Sequence, residues 1–290
     1  MIKKLAENNS YVKGAALGVM GFCSRWAVGS EDTEKEWIET SQLELDLSAE
    51  FDRLTPHAKI VHISDLHCSR TVSLPYLQQC IDRVNSLDAD LIMLTGDYVT
   101  HDYSGRFRRK IVGLLTRLES KYGVYGCLGN HDYGLGGFIK NPKHKKKIAA
   151  MKRQLSFAGI KLLINESVEI EIDSKKLNIT GFGDIWADDF KPEKISENTD
   201  KDVPAITLMH NPEAVKELDG FKTELILSGH THGAKIEWEV KPKHIIARRR
   251  NFVAGLYDRR PGKLYVNRGL GRHGRVGFNT RPEITVINIK

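Results

Sequence analysis

A chain of 290 residues is long enough for one large core, or for one domain with an N-terminal extension. Its 40% hydrophobic and 28% charged side chains are the proportions of an ordinary soluble globular protein, which sets aside a disordered or fibrous chain. The formal net charge of +7 favours anionic partners such as nucleic acid, phosphorylated metabolites or anionic lipid, or serves solubility alone.

The uncharged stretch Gly14 to Ser24 lies between Lys13 and Arg25. It is shorter than the roughly 20 apolar residues that a bilayer-spanning helix needs. Three readings stay open: an interfacial helix with Lys3, Lys4, Lys13 and Arg25 at lipid headgroups, a signal peptide with Ala27-Val28-Gly29 at its cleavage site, or a segment packed on the domain. Glu31 to Lys35 reads as a polar linker, so residues 1–40 form an extension and residues 41–290 the domain. Alternation predicts a half-buried strand over Gln42–Leu47, and a β-rich run, Lys59–Ser64, leads into Asp65. Helical spacing covers Ser73–Leu87, with Pro75 near its start, and Phe107–Leu118. Buried strands are predicted at Leu91–Thr95 and Val124–Leu128. A glycine-rich segment, Gly134–Asn141, precedes a helix over Lys143–Phe157. Strand-like runs follow at Lys161–Ile164, Val168–Ile172, Leu177–Gly181, Ala205–Met209, Leu225–Leu227, Leu264–Asn267 and Glu283–Ile289. Alternating β and α units followed by strands indicate an α/β layered domain. Cys23, Cys68, Cys80 and Cys127 make no CxxC pair and suit a reducing compartment.

Five short motifs stand at the ends of apolar runs: Asp65-Leu66-His67, Gly96-Asp97, Gly129-Asn130-His131-Asp132, Met209-His210-Asn211 and Gly229-His230-Thr231-His232-Gly233. In open α/β folds, sites gather beyond the carboxyl ends of strands. A single Asp or Asn before a helix is usually a cap, and a single His is usually a surface or core residue. The ordered set overrides those readings, although His210 beside Pro212 could stand in an ordinary turn. His62 reads as core, His57, His101, His144 and His244 as surface, and His273 lies in a glycine-rich C-terminal stretch. Oxygen and imidazole donors without thiolate suit Mn, Fe, Zn or Ni.

The ordered set resembles the calcineurin-like metallophosphoesterase family. The resemblance implies a sandwich of two mixed β-sheets flanked by helices, with two divalent metal ions, manganese first among them. It assigns Asp65, His67 and His232 to one ion, Asn130, His210 and His230 to the other, and Asp97 to both. Asn130 supplies only a carbonyl oxygen, so it adds no charge. The resemblance makes His131 the catalytic residue, beside the phosphate, stabilising the transition state or protonating the leaving oxygen. Asp132 orients either that neighbour or its own loop. Asn130 and Arg268 are the candidate substrate contacts, with Arg70, Arg272 and Arg275 as other cations in range.

Secondary motifs resemble the membrane-associated bacterial branch, which includes the UDP-2,3-diacylglucosamine pyrophosphatases of lipid A synthesis. They are Leu264-Tyr265-Val266-Asn267-Arg268-Gly269-Leu270-Gly271, Arg281-Pro282-Glu283-Ile284, Leu163-Ile164-Asn165-Glu166 and Glu36-Trp37-Ile38-Glu39-Thr40. That branch implies a lipid-linked nucleotide substrate and a cytoplasmic protein held peripherally at the inner face of the membrane. Leu135, Phe138 and Ile139 could meet acyl chains. Lys140, Lys143, Lys145, Lys146, Lys147, Lys152, Arg153 and Arg248–Arg250 could face anionic lipid, or simply water. A phosphodiesterase of broader specificity and a non-catalytic scaffold are the competing functions. No aromatic–basic series points to nucleic acid.

Overall fold

The computed structural model describes residues 37–48, 56–102, 104–134, 144–196, 200, 202–241, 244–271 and 281–290. Nearly all of the 1–40 extension, the hydrophobic residues of the 134–141 segment, and Arg272, His273 and Arg275 lie outside the described residues. Among the described residues no helix is long and apolar enough to cross a membrane.

Two six-stranded sheets carry the domain. The first is ordered β1 (Glu39–Leu45), β14 (Glu283–Ile289), β2 (Ala58–Ile63), β3 (Leu91–Thr95), β4 (Val124–Cys127) and β5 (Ile160–Leu162). Its strands run parallel except across β14 and β2. The second is ordered β12 (Gly255–Tyr257), β13 (Lys263–Val266), β9 (Leu225–Ser228), β8 (Ala205–Leu208), β7 (Lys175–Gly181) and β6 (Glu166–Ile172). Its four central strands are parallel, and its two edge strands are antiparallel to their neighbours. A separate hairpin joins β10 (Ile236–Lys241) to β11 (His244–Arg249).

Burial on both faces explains the unbroken apolar runs. In β3 every residue of Leu-Ile-Met-Leu-Thr is buried. Leu91 and Met93 face the layer between the sheets, with Ile60, Cys127, Ile206, Leu208, Leu225 and Leu227. Ile92 and Leu94 face the opposite way, with Val61 and Ile63, onto the helices. Each such side chain contributes about 1.5–3 kcal/mol by leaving water. The helical layer is α1 (Leu74–Asn85), α2 (Arg106–Leu115) and α3 (His144–Phe157). In α1, Tyr76, Leu77, Cys80, Ile81 and Val84 form the buried stripe, and the Ser73 hydroxyl accepts from the Tyr76 N–H at 3.3 Å. The outer face of the second sheet is covered by Phe182, Met209, Val215, Leu218 and Phe252.

The predicted sandwich is therefore the observed one. Differences are local. The predicted Gln42–Leu47 strand runs over Glu39–Leu45, because all seven of its residues pair with β14. β6 begins two residues before the predicted Val168, since Glu166 and Ser167 still pair with Gly181 and Thr180. The β10–β11 hairpin was overlooked although Ile236-Glu237-Trp238-Glu239-Val240-Lys241 alternates apolar and polar residues, and β12 is too short, at three residues, to show a pattern.

Candidate metal centre

The parallel strands of both sheets end on one side of the sandwich, and the motifs sit there. β2 runs into Asp65 and His67, β3 into Asp97, β4 into Asn130 and His131, β8 into His210, and β9 into His230 and His232. The two sets are tied together. The Asp65 N–H donates to the Gly96 carbonyl at 3.0 Å, and the His230 N–H donates to Asp65 Oδ2 at 2.9 Å.

Five of these residues have left-handed backbone: Asp65, His67, Asp97, His230 and His232, with φ between 48° and 72°. Such positions cost about 1–3 kcal/mol each and cluster at functional sites. Sharp turns at the strand ends swing each side chain back over the end of the sheet. The motif glycines let backbones approach that closely. A Cβ on Gly229 would stand 1.9 Å from Ser64 Oγ and 2.2 Å from Asp65 Oδ2, and one on Gly96 would stand 2.3 Å from the Gly129 nitrogen.

Imidazole and carboxylate atoms converge on two points. Around the first, His67 Nε2 lies 3.0 Å from His232 Nε2, 3.7 Å from Asp65 Oδ1 and 3.5 Å from Asp97 Oδ2. His232 Nε2 is 3.4 Å from Asp65 Oδ1. Around the second, His210 Nε2 lies 3.2 Å from Asp97 Oδ2 and 3.2 Å from His230 Nδ1, which is 3.1 Å from Asn130 Oδ1. Asp97 touches both groups. These separations are the edges expected of donors about 2.0–2.2 Å from a common ion. Asp65 Oδ1 is buried, lacks a hydrogen-bond partner and faces imidazole nitrogens, which is the orphan a cation would satisfy.

Second contacts fix the tautomers. His210 Nδ1–H donates to the Thr95 carbonyl at 2.7 Å, so Nε2 is the nitrogen left to face an ion. Thr100 Oγ1 is 3.2 Å from His67 Nδ1, and the Thr100 hydroxyl donates to the His67 carbonyl. His131 donates from Nδ1 to the Thr100 carbonyl at 2.8 Å, leaving Nε2 4.0 Å from Asp97 Oδ2 with the side chain 14% exposed. Burial opposes ionisation of Asp65, yet the His232, His210 and His67 imidazoles hold its carboxyl well below the usual carboxylate range. Burial also opposes the charged form of His210, but Asp97 and Asp65 push it up to about 10. The pocket thus demands positive charge. A donor set of carboxylate, imidazole and one amide oxygen fits divalent ions.

Every sequence-predicted metal residue, Asp65, His67, Asp97, Asn130, His210, His230 and His232, is brought to this centre, and so is His131. Asp132 ties its own loop to the neighbouring turn. Its carboxylate accepts from the backbone N–H groups of Asp97 (2.8 Å), Tyr98 (3.0 Å) and Gly129 (3.0 Å). Arg268 is engaged elsewhere: its guanidinium bonds Glu283 at 3.0 Å and pairs with Glu39 at 3.1 Å.

The sequence reading missed Asp184 and Trp186. Asp184 caps a short 3-10 turn after β7 and is fully buried. Burial first, opposed by the His210 charge, pushes its carboxyl up to about 6. The Trp186 indole, 44% exposed, stands edge-on to the His230 ring at 4.5 Å. The signal was available, since Gly183-Asp184 follows a strand as Gly96-Asp97 does.

Comparison with known proteins agrees with this geometry. Residues 58–234 match the model of the calcineurin-like phosphoesterase family. Phosphodiesterase YaeI of Escherichia coli (strain K12) is 31% identical over 80% of this chain and 82% of its own. UDP-2,3-diacylglucosamine pyrophosphatase LpxG of Chlamydia trachomatis is 28% identical over 90% of this chain and 92% of its own. Metallophosphoesterase YkoQ of Bacillus subtilis (strain 168) is 29% identical over 79% and 83%. With the donor cluster at the strand ends and a family match over most of the sandwich, this chain belongs to the calcineurin-like phosphoesterases and is a metal-dependent phosphoester hydrolase.

Proposed function

We propose that the protein hydrolyses the pyrophosphate bond of UDP-2,3-diacylglucosamine, giving UMP and 2,3-diacylglucosamine 1-phosphate. The observation that carries this reading is the likeness to chlamydial LpxG, which extends over 90% of this chain. Asp65, His67 and His232 would hold one divalent ion, Asn130, His210 and His230 a second, and Asp97 both, with Mn²⁺ as the expected metal. When bound, such ions polarise phosphoryl oxygens and make water nucleophilic at neutral pH. Asn130 would also contact the substrate phosphate. The Thr100 carbonyl holds His131 by Nδ1, so Nε2 is the nitrogen that would meet the leaving oxygen, and only the imidazolium form would have a proton there to give. Arg268, committed to Glu283 and Glu39, joins strand ends more readily than it grips substrate.

A lipid-linked substrate is best met at a surface. The net charge of +7 supports peripheral contact with anionic lipid at the cytoplasmic face, with residues 1–40 as the anchor. A broader phosphodiesterase is the second reading, favoured by the 31% identity to YaeI.

The deciding assay is UMP release from UDP-2,3-diacylglucosamine in detergent with Mn²⁺, alongside bis(p-nitrophenyl) phosphate. Rapid UMP release that disappears in Asp97→Ala supports the lipid nucleotide. Aryl diester cleavage without UMP release replaces it with the broader phosphodiesterase.

A further inference from the structure

The loop after β7 brings one large aromatic side chain to the metal-type donors. Its 3-10 turn, Ile185–Ala187, begins at Asp184, whose Oδ1 accepts from the Trp186 N–H at 2.9 Å and the Ala187 N–H at 3.3 Å. Asn165 clamps both ends of the loop. Its Oδ1 accepts from the Gly183 N–H at 3.3 Å and the Lys191 N–H at 3.0 Å, and its Nδ2 donates to the Asp189 carbonyl at 2.8 Å. The Tyr133 hydroxyl donates to Asp189 Oδ2 at 2.8 Å, which ties the loop to the segment that carries His131. Ile185 packs against the core on the outer face of the second sheet, and Ala187 against the core beneath the helices. Between these two inward-facing neighbours, Trp186 joins neither core and stays 44% exposed.

The indole stands at 88° to the His230 ring, with centroids 4.5 Å apart. In a T-shaped pair the edge of one ring meets one face of the other. At least one indole face is therefore left uncovered by His230, beside the position of a phosphate held at the donors. His131 packs instead on His67, of the other donor group, with centroids 4.8 Å apart. The indole and the leaving-group side thus serve different parts of a substrate. An acyl chain needs a groove walled by several apolar side chains. A single aromatic face held in place by its loop suits a flat ring, and its preorganisation lowers the cost of binding one. We propose that Trp186 is the platform on which a planar ring of the substrate, the base of a nucleoside phosphate, stacks while the phosphate lies at the metal centre. The platform rests on the reading of these donors as the phosphate site. It does not require the rest of the substrate to be a lipid.

The test uses the full chain with free Mn²⁺ held constant. UMP and ribose 5-phosphate, which share a sugar phosphate and differ by the base, are compared as inhibitors of bis(p-nitrophenyl) phosphate hydrolysis. The wild type should bind UMP more tightly by about 5- to 100-fold, the value of stacking one base on an aromatic side chain. In Trp186→Ala that advantage should fall towards one while Mn²⁺ content per chain stays that of the wild type. Trp186→Phe should keep most of the advantage. UMP should also quench tryptophan emission in the wild type, and the quench should be missing from Trp186→Phe. The proposal is overturned if the wild type shows no preference for UMP or if Trp186→Ala keeps it. It is overturned as well if the preference and the Mn²⁺ are lost together, because Trp186 would then act only as a support for His230. A preference that depends on Trp186, in a protein that leaves UDP-2,3-diacylglucosamine intact, keeps the platform and discards the lipid assignment. UMP release from the lipid by a protein without the preference does the reverse.

Discussion

Replacing Asp132 with asparagine removes one carboxylate oxygen from a position where both are used. Oδ2 accepts from the Asp97 and Gly129 N–H groups, and Oδ1 accepts from Tyr98. An amide has one acceptor. If its oxygen faces Asp97 and Gly129, its NH₂ group faces the Tyr98 N–H, and that buried donor is orphaned. A buried donor without an acceptor costs about 1–3 kcal/mol. The expected loss is about 1–3 kcal/mol, which lowers the melting temperature of a domain this size by about 2–12 °C. Activity should fall as well, because the three bonds hold the Gly96–Asp97 turn against the Gly129–Asn130 turn. A displacement of about 1 Å at such a turn costs on the order of 10²-fold in rate. The assay is thermal unfolding in chelator, followed by kcat on bis(p-nitrophenyl) phosphate well below the melting point. An Asp132→Asn protein that melts within about 1 °C of wild type and keeps its kcat refutes the three-bond reading.

His62 is buried, with Nε2 on Thr95 Oγ1 at 2.9 Å, and burial holds its pKa at about 4 against the ordinary 6.5. The unfolded chain therefore takes up its proton first. Stability from this group is complete above pH 6.5 and drains away as pH falls towards about 4, by up to about 3 kcal/mol. Urea titrations in chelator should show that slope, and His62→Leu should flatten it; an unchanged slope rules out His62 as its source. Because the donors come from both sheets, divalent metal should stabilise the fold. Mn²⁺ at about 100 times its dissociation constant is worth about 2.7 kcal/mol, and equal melting points with Mn²⁺ and with EDTA would contradict the donor assignment. Gly229→Ala forces a methyl into Ser64 Oγ and Asp65 Oδ2 and should lower metal content per chain; normal content would show that the turn can give way. Removing residues 1–29 should reduce sedimentation with anionic vesicles far more than aryl diester hydrolysis, and equal sedimentation by both forms would remove the anchor.

The parts of this fold that were legible in the sequence are those with a strong local reason. Leu91–Thr95 is apolar on both faces because it lies between the helices and the second sheet. Ser73 and Pro75 announce α1 by capping and by pre-set φ. The metal-type residues were readable because each stands where a strand stops. Asp184 was overlooked although Gly183-Asp184 follows a strand, and Trp186 carries no such sign, since its place beside His230 depends on the 3-10 turn. The Arg268 partners, Glu39 and Glu283, lie on strands from opposite ends of the chain that become parallel neighbours, and no local pattern marks such a meeting.

The left-handed backbone at Asp65, His67, Asp97, His230 and His232 bears on how sequences of this kind are compared. Left-handed positions favour Gly, Asn, Asp and His whatever the chemistry. A lineage that abandoned catalysis would still find those residue types the least strained at these turns, so much of the motif would outlast the activity that selected it. Asn130 and His210 have ordinary φ and no such backbone reason to persist. Their loss is the earlier sign of a silent descendant, and their joint presence here carries more weight for an active enzyme than the more conspicuous Gly-His-Thr-His-Gly.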